Sequence, residues 1–193
     1  MENEERIIAH LMWVWGEEDR FLKRGREGML VITDVRIAFV TKTNMLYRNH
    51  DTYSLEQLKR FETGDYDFHP LVGYKIKHLE YDLEKSVNNL SFPFNQVVSI
   101  AQEKKRWGTR LKVVKKLSGV NMLKTYKFAV AKGWVKYPVK DPVQFQHVNW
   151  IPIIKLFERY KGVTGVFHRC KAGMRRYYSE MVRWISGCRL EFY

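Results

Sequence analysis

The stretch Gly28-Met-Leu-Val-Ile-Thr-Asp-Val-Arg-Ile-Ala-Phe-Val-Thr41 decides the predicted fold of this chain. Residues Met29–Ile32 and Ile37–Thr41 are rich in β-branched and aromatic side chains, which favour strands. The polar pair Thr33 and Asp34 lies between these two runs and is typical of a turn. Because so short a connection brings the two runs side by side in opposite directions, the stretch predicts an antiparallel β-hairpin.

Further strands are predicted in the second half of the chain. Residues 97–116 predict a second hairpin that turns at Trp107 and Gly108. Its return strand alternates basic with apolar side chains, the period of two expected of a strand with one buried face. Residues Lys124–Val130 alternate in the same way and predict one more strand.

A helix is predicted to follow these strands. Asp141 fits an N-cap and Pro142 the first helical position, so the helix is expected to begin there and to end near Tyr160. Pro152 predicts a break or kink within it. Its apolar stripe consists of Trp150, Ile153, Ile154, Phe157 and Tyr160.

The hairpin at residues 28–41 resembles the opening hairpin of GRAM-type pleckstrin-homology (PH) domains. The matching positions are Gly28, Leu30, Ile32, Thr33, Arg36, Ile37 and Phe39. The resemblance implies an α+β, mainly β fold: a PH-like, strongly bent antiparallel sheet or barrel plugged by a C-terminal helix. It covers roughly residues 5–161, so we expect a PH/GRAM-like domain at 1–161 and an extension at 162–193. The long span between Thr43 and Asn95 departs from the family pattern.

Three segments of the first half are less regular. Apolar residues at positions 7, 8, 11, 12 and 15 fit an amphipathic helix, whereas a strand at His10–Trp15 is favoured by the resemblance. Ser54 and Gln57 have capping-box spacing and predict a helix at Leu55–Glu62. Residues 71–90 fit either state, and their first part alternates like a strand at Tyr74, Ile76 and His78.

The charge of the chain is unevenly distributed. The net charge is −4 over residues 1–103 and +17 over residues 104–193, which together give the +13 of the chain. A balance of this kind predicts an anionic partner for the second half: an anionic lipid surface, nucleic acid or an acidic protein.

A basic hairpin tip is the sharpest candidate site. The predicted anion-binding residues are Lys104, Lys105, Arg106, Trp107, Arg110 and Lys112. A tryptophan between cations suits a lipid interface, and the same residues suit base stacking with backbone contacts. Three of them resemble the Lys-x-n-Lys/Arg-x-Arg phosphate motif of lipid-binding PH domains, although Lys112 replaces an arginine and the motif lies in a later hairpin than usual. The alternative is a solvated sheet edge kept soluble by its charges.

A C-terminal helix is predicted at about Thr164–Ile185. Its apolar positions follow a/d heptad spacing, and the predicted interaction seam consists of Phe167, Met174, Tyr177, Met181 and Trp184, with Cys170 and Cys188 in the same register. This helix would form a homodimer, bind a protein partner, lie on a membrane, or fold back on its own domain.

Enzyme signatures are missing from the sequence: it has no GxSxG, GxxxxGK[ST], HExxH or post-strand GxGxxG motif. We therefore expect a non-enzymatic protein without catalytic residues, metal or cofactor. Asp65, Asp67 and His69 are interpreted as loop residues rather than metal ligands. No apolar run approaches the ~20 residues of a transmembrane helix, and the two cysteines lack a disulfide pattern. These features predict a cytoplasmic protein, with peripheral membrane attachment as one role of its basic surface.

Overall fold

The computed structural model describes residues 4–19, 25–41, 50–65, 68–117, 122–135 and 141–162. The strands are β1 (Ile7–Glu18), β2 (Arg26–Thr33), β3 (Arg36–Val40), β4 (Leu90–Pro93), β5 (Val97–Lys105), β6 (Gly108–Lys116), β7 (Leu123–Val135) and β8 (Asp141–Phe145). The helices are α1 (His50–Glu62), α2 (Ile76–Glu84) and α3 (residues 151–162). The α+β, mainly β class predicted from the sequence is confirmed at this level.

The strands form one open antiparallel sheet in the order β4-β3-β2-β1-β7-β6-β5, and β8 pairs with β7. The sheet bends strongly enough that aromatic rings from strands distant in this order meet. The ring of Phe39 on β3 lies 5.3 Å from that of Phe128 on β7, and Phe92 on β4 lies 5.6 Å from Phe128. One core of the protein is therefore enclosed on the concave side of the sheet.

The first predicted hairpin is confirmed as β2–β3. Leu30 lies opposite Phe39 and Ile32 opposite Ile37, so these side chains share one face. The turn is stabilised by Thr33, whose hydroxyl oxygen accepts hydrogen bonds from the backbone N–H groups of Val35 (3.2 Å) and Arg36 (3.0 Å). The second predicted hairpin is likewise confirmed as β5–β6.

The N-terminal segment forms strand β1, so the strand prediction is confirmed and the prediction of an amphipathic helix is wrong. The register slips between Leu11 and Val14, and Trp13 in this bulge has a positive φ of 54°. Beyond the bulge, residues 14–18 pair with β7. Because a bulge shifts the alternation of side chains, the apolar spacing of this strand resembles that of a helix.

Gln57 of α1 stabilises this bulge. The backbone N–H of Met12 donates to Gln57 Oε1 at 2.8 Å, and Gln57 Nε2 donates to the carbonyl oxygen of Met12 at 3.2 Å. Helix α1 begins at His50, so Ser54 lies inside it and the predicted capping box is wrong. Gln57 therefore faces the sheet instead of the helix N-terminus.

The long span between β3 and β4 covers the convex face of the sheet with a second core. Its helices α1 and α2 bury the cluster Met12, Met29, Val31, Ala38, Val40, Tyr53, Leu71, Tyr74 and Leu79. The strand-like alternation at residues 74–78 was misleading, because α2 begins at Ile76. With helices on one face and a core on the other, β2 is buried on both sides, which explains its continuous apolar run.

The segment expected to begin a helix at Asp141 forms β8 instead. Helix α3 begins after Trp150, whose carbonyl oxygen accepts from the N–H groups of Ile153 and Ile154. Pro152 therefore lies in the first turn, where no hydrogen-bond donor is needed, and does not kink the helix. Trp150, Ile153 and Phe157 are buried as predicted, and the ring of Phe157 lies 5.6 Å from that of Phe94.

The chain divides into two compact units, Met1–Phe157 and Glu158–Tyr193. Of the second unit only residues 158–162 are described. The predicted C-terminal helix and its seam lie outside the described residues and stay predictions. None of the described helices combines the length and the apolar composition that crossing a membrane requires.

Candidate anion-binding hairpin

The tip of hairpin β5–β6 is built on a close backbone approach at Gly108. Lys105 pairs with Gly108, and Arg106 and Trp107 form the turn between them. Gly108 has a φ of 145°, and a Cβ there would lie 2.6 Å from Cβ of Phe145. Only glycine fits such a position without displacing the neighbouring backbone.

The tip is anchored to the last residue of β8 and to the segment that follows this strand. The N–H of Phe145 donates to the carbonyl oxygen of Trp107 at 3.0 Å. Thr109 is buried, and its hydroxyl donates to the carbonyl oxygen of Val148 at 2.7 Å. These two hydrogen bonds connect the tip to a neighbouring segment, so its position does not depend on the pairing of β5 with β6 alone.

Trp107 contacts two side chains and is still 38% exposed. The guanidinium carbon of Arg110 lies 4.3 Å from its ring centroid, and the ring of Phe145 lies 5.2 Å away at an angle of 49°. A guanidinium over an indole ring is attracted by the negative face of the π system. The indole is thus positioned by its neighbours while part of it meets solvent.

Arg110 and Lys112 lie on the strand, below the tip, and each has an acidic neighbour. Arg110 Nη1 donates to Glu17 Oε1 of β1 at 2.8 Å, and Lys112 Nζ lies 3.8 Å from Glu103 Oε1. On the adjacent strand, Lys127 Nζ lies 3.0 Å from Asp19 Oδ2. This outer face of β5, β6, β7 and β1 therefore alternates positive and negative charges.

The three remaining predicted residues, Lys104, Lys105 and Arg106, are exposed at the tip. No acidic side chain in the described part of the chain forms an ion pair with any of them. The structure thus separates the six predicted anion-binding residues into two groups. Among the described residues, the basic side chains of the tip have no acidic partner, whereas Arg110 and Lys112 are compensated by carboxylates.

Two partners of this site were missed by sequence reasoning. Glu17 is 93 residues away from Arg110 in the chain, and Phe145 belongs to a segment that was predicted to be helical. The register of β1 against β7 brings Glu17 to this face, and no local pattern carries that information.

A buried histidine, His10, lies elsewhere, with its ring against Tyr74 of the second core. His10 is buried, and its Nδ1 accepts from the N–H of Leu71 at 2.8 Å. Burial lowers the pKa of His10 from 6.5 to about 4, so the ring is neutral near pH 7. Nearby, the hydroxyl of Tyr74 donates to buried Asp82 Oδ2 at 2.8 Å.

Among the described residues no three His, Cys, Asp or Glu side chains are grouped to hold a metal ion.

No protein-family model matches the chain, and no curated protein sequence matches it.

Proposed function

We propose that this protein is a non-enzymatic, PH-like binding module of the GRAM type. In this proposal the tip of hairpin β5–β6 attaches it reversibly to anionic surfaces that carry phosphate, above all lipid headgroups. The observation that carries the proposal is that Lys104, Lys105 and Arg106 are exposed and form no ion pair with a described acidic side chain, beside the partly exposed indole of Trp107. Cations would contact phosphates while the indole lies at the interface, where tryptophan is favoured.

The PH-like assignment is supported by the order of the elements. A bent antiparallel sheet is followed by a helix that buries Ile153 and Phe157, with Trp150 buried directly before it. Strand β8 and the helices α1 and α2 are additions to the pattern that the resemblance implies.

A lipid surface is favoured over nucleic acid by the environment of Trp107. Base stacking needs an open aromatic face. Here the guanidinium of Arg110 lies over the ring at 4.3 Å, and Phe145 packs beside it at 5.2 Å. Insertion of an exposed ring edge between headgroups needs no such open face.

The test is a binding assay at low and high salt that compares anionic vesicles, neutral vesicles and a pool of single- and double-stranded oligonucleotides. Each basic residue near an anionic bilayer contributes ~1 kcal/mol, so replacing Lys104, Lys105 and Arg106 by alanine should weaken vesicle binding about 100-fold. Trp107→Ala should weaken it further, and high salt should weaken binding of the native chain.

The matched control replaces Lys59, Lys77 and Lys155 by alanine, since these lysines are also exposed but lie on the helices. It changes the net charge by the same amount and should retain most of the affinity. Equal losses in both triple variants would mean that only net charge matters, and the proposal would fail. Preference for oligonucleotides would assign the tip to nucleic acid, and absence of binding to both would remove it as an anion site.

A further inference from the structure

Trp107 is the residue at the tip whose orientation is set by a chain of contacts. Its carbonyl oxygen accepts from the N–H of Phe145 at 3.0 Å, and its ring contacts the side chains of Phe145 and Arg110. Of these neighbours, Arg110 has a long, flexible side chain, which would sample many rotamers if nothing fixed its far end.

Glu17 fixes that far end. Its Oε1 accepts from Arg110 Nη1 at 2.8 Å, and the two side chains are 28% and 19% exposed. Arg110 lies directly opposite Glu103 in the pairing of β5 with β6, yet its ion pair is with Glu17 on β1. The carboxylate therefore draws the guanidinium across the sheet face, to the place where the cation also stacks on the indole.

We infer that Glu17 is a positioning residue for Trp107, and that Arg110 serves to orient the indole instead of contacting phosphate. This inference rests on the proposed function, in which Trp107 makes the aromatic contact with the membrane. With the guanidinium fixed on one face of the indole, the ring meets a lipid interface with its exposed edge. The phosphate contacts are then left to Lys104, Lys105 and Arg106.

The two possible roles of Arg110 predict opposite effects on vesicle binding when the charge of Glu17 is removed. If Arg110 were a phosphate ligand, Glu17 would compete with the phosphate, and removing its charge would strengthen binding to anionic vesicles. If Glu17 positions Trp107, removing its charge releases the guanidinium and loosens the indole. The sign of the effect, after correction for net charge, separates the two roles.

Asp19 supplies the matched control, because it lies two residues further along the chain and pairs with Lys127 at 3.0 Å instead of with Arg110. Glu17→Gln and Asp19→Asn each remove one negative charge. Asp19→Asn should tighten binding to anionic vesicles by up to about five-fold through charge alone. The affinity of Glu17→Gln for the same vesicles should be about two- to five-fold lower than that of Asp19→Asn, because the stacked guanidinium no longer orders the indole. Arg110→Lys keeps the charge but loses the planar stack, and should weaken binding relative to the native chain.

Fluorine NMR of protein labelled with 5-fluorotryptophan gives a readout that needs no membrane. The resonance of position 107, assigned with Trp107→Phe, should shift and narrow in Glu17→Gln and Arg110→Lys, and should stay in place in Asp19→Asn. An unchanged resonance in Glu17→Gln, or vesicle binding as tight as that of Asp19→Asn, would overturn the inference alone. Absence of binding by the native chain to anionic vesicles would instead overturn the proposed function.

Discussion

Gln57 offers the most direct test of how the helices hold the sheet. We expect Gln57→Met to destabilise the protein although methionine has a similar length and suits a helix. The substitution removes both hydrogen bonds to the bulge, at 2.8 and 3.2 Å, and leaves the N–H and C=O groups of Met12 without those partners. Met12 is 2% exposed and Gln57 is 1% exposed, so water cannot replace the bonds.

The magnitude follows from the two backbone groups left unpaired. An unsatisfied buried donor or acceptor costs ~1–3 kcal/mol, so the loss of both should lower the free energy of unfolding by about 2–6 kcal/mol. That is a large share of the ~5–15 kcal/mol that stabilises a typical domain. Urea denaturation followed by circular dichroism measures the loss, with the midpoint shifted and the m value unchanged.

A matched control is Glu56→Met, which places the same residue at the exposed neighbouring position of α1. Its effect should stay within about 0.5 kcal/mol, as is usual for surface substitutions. Amide hydrogen exchange at Met12 should accelerate in Gln57→Met only. If Gln57→Met matched the control in stability and exchange, the assignment of Gln57 as the support of the bulge would be refuted.

Two further predictions concern His10 and Gly108. Because burial lowers the pKa of His10 from 6.5 to about 4, the unfolded chain binds more protons between these pH values. The free energy of unfolding should therefore fall by ~3 kcal/mol as the pH drops from 6.5 through about 4, on the basis of ~1.4 kcal/mol per pH unit. His10→Asn, which keeps an acceptor for the N–H of Leu71, should show a shallower slope in urea titrations at several pH values; an identical slope would contradict the assignment. Gly108→Ala should cost about 2–4 kcal/mol through its backbone conformation and its clash with Phe145, and should change the near-ultraviolet circular dichroism of Trp107. Gly73→Ala, with a φ of 86° but open space around it, should cost only ~1–2 kcal/mol, and equal costs would mean that the contact with Phe145 is unimportant.

Local patterns determined the two hairpins and the mainly β class. In β2–β3 and β5–β6, strand-forming runs flank a short turn, so pairing follows from chain connectivity alone. The buried positions Trp150, Ile153 and Phe157 followed equally from helical spacing. The candidate tip, Lys104–Trp107, was also identified from a local pattern, because its residues are consecutive in the chain.

Tertiary structure alone decided what depends on contacts between distant segments. The bulge at Trp13 shifts the alternation of β1, so its apolar spacing imitated a helix until its pairing with β2 and β7 was known. Gln57 looked like a capping residue because nothing local shows that it faces Met12.

The same division applies to the candidate site. The sequence identified the cations of the hairpin, but the sheet register decided which of them are compensated. Glu17 reaches Arg110 because β1 pairs with β7, which in turn pairs with β6. Residue type and spacing specify local geometry, whereas charge compensation depends on which strands become neighbours, and only the folded sheet determines that.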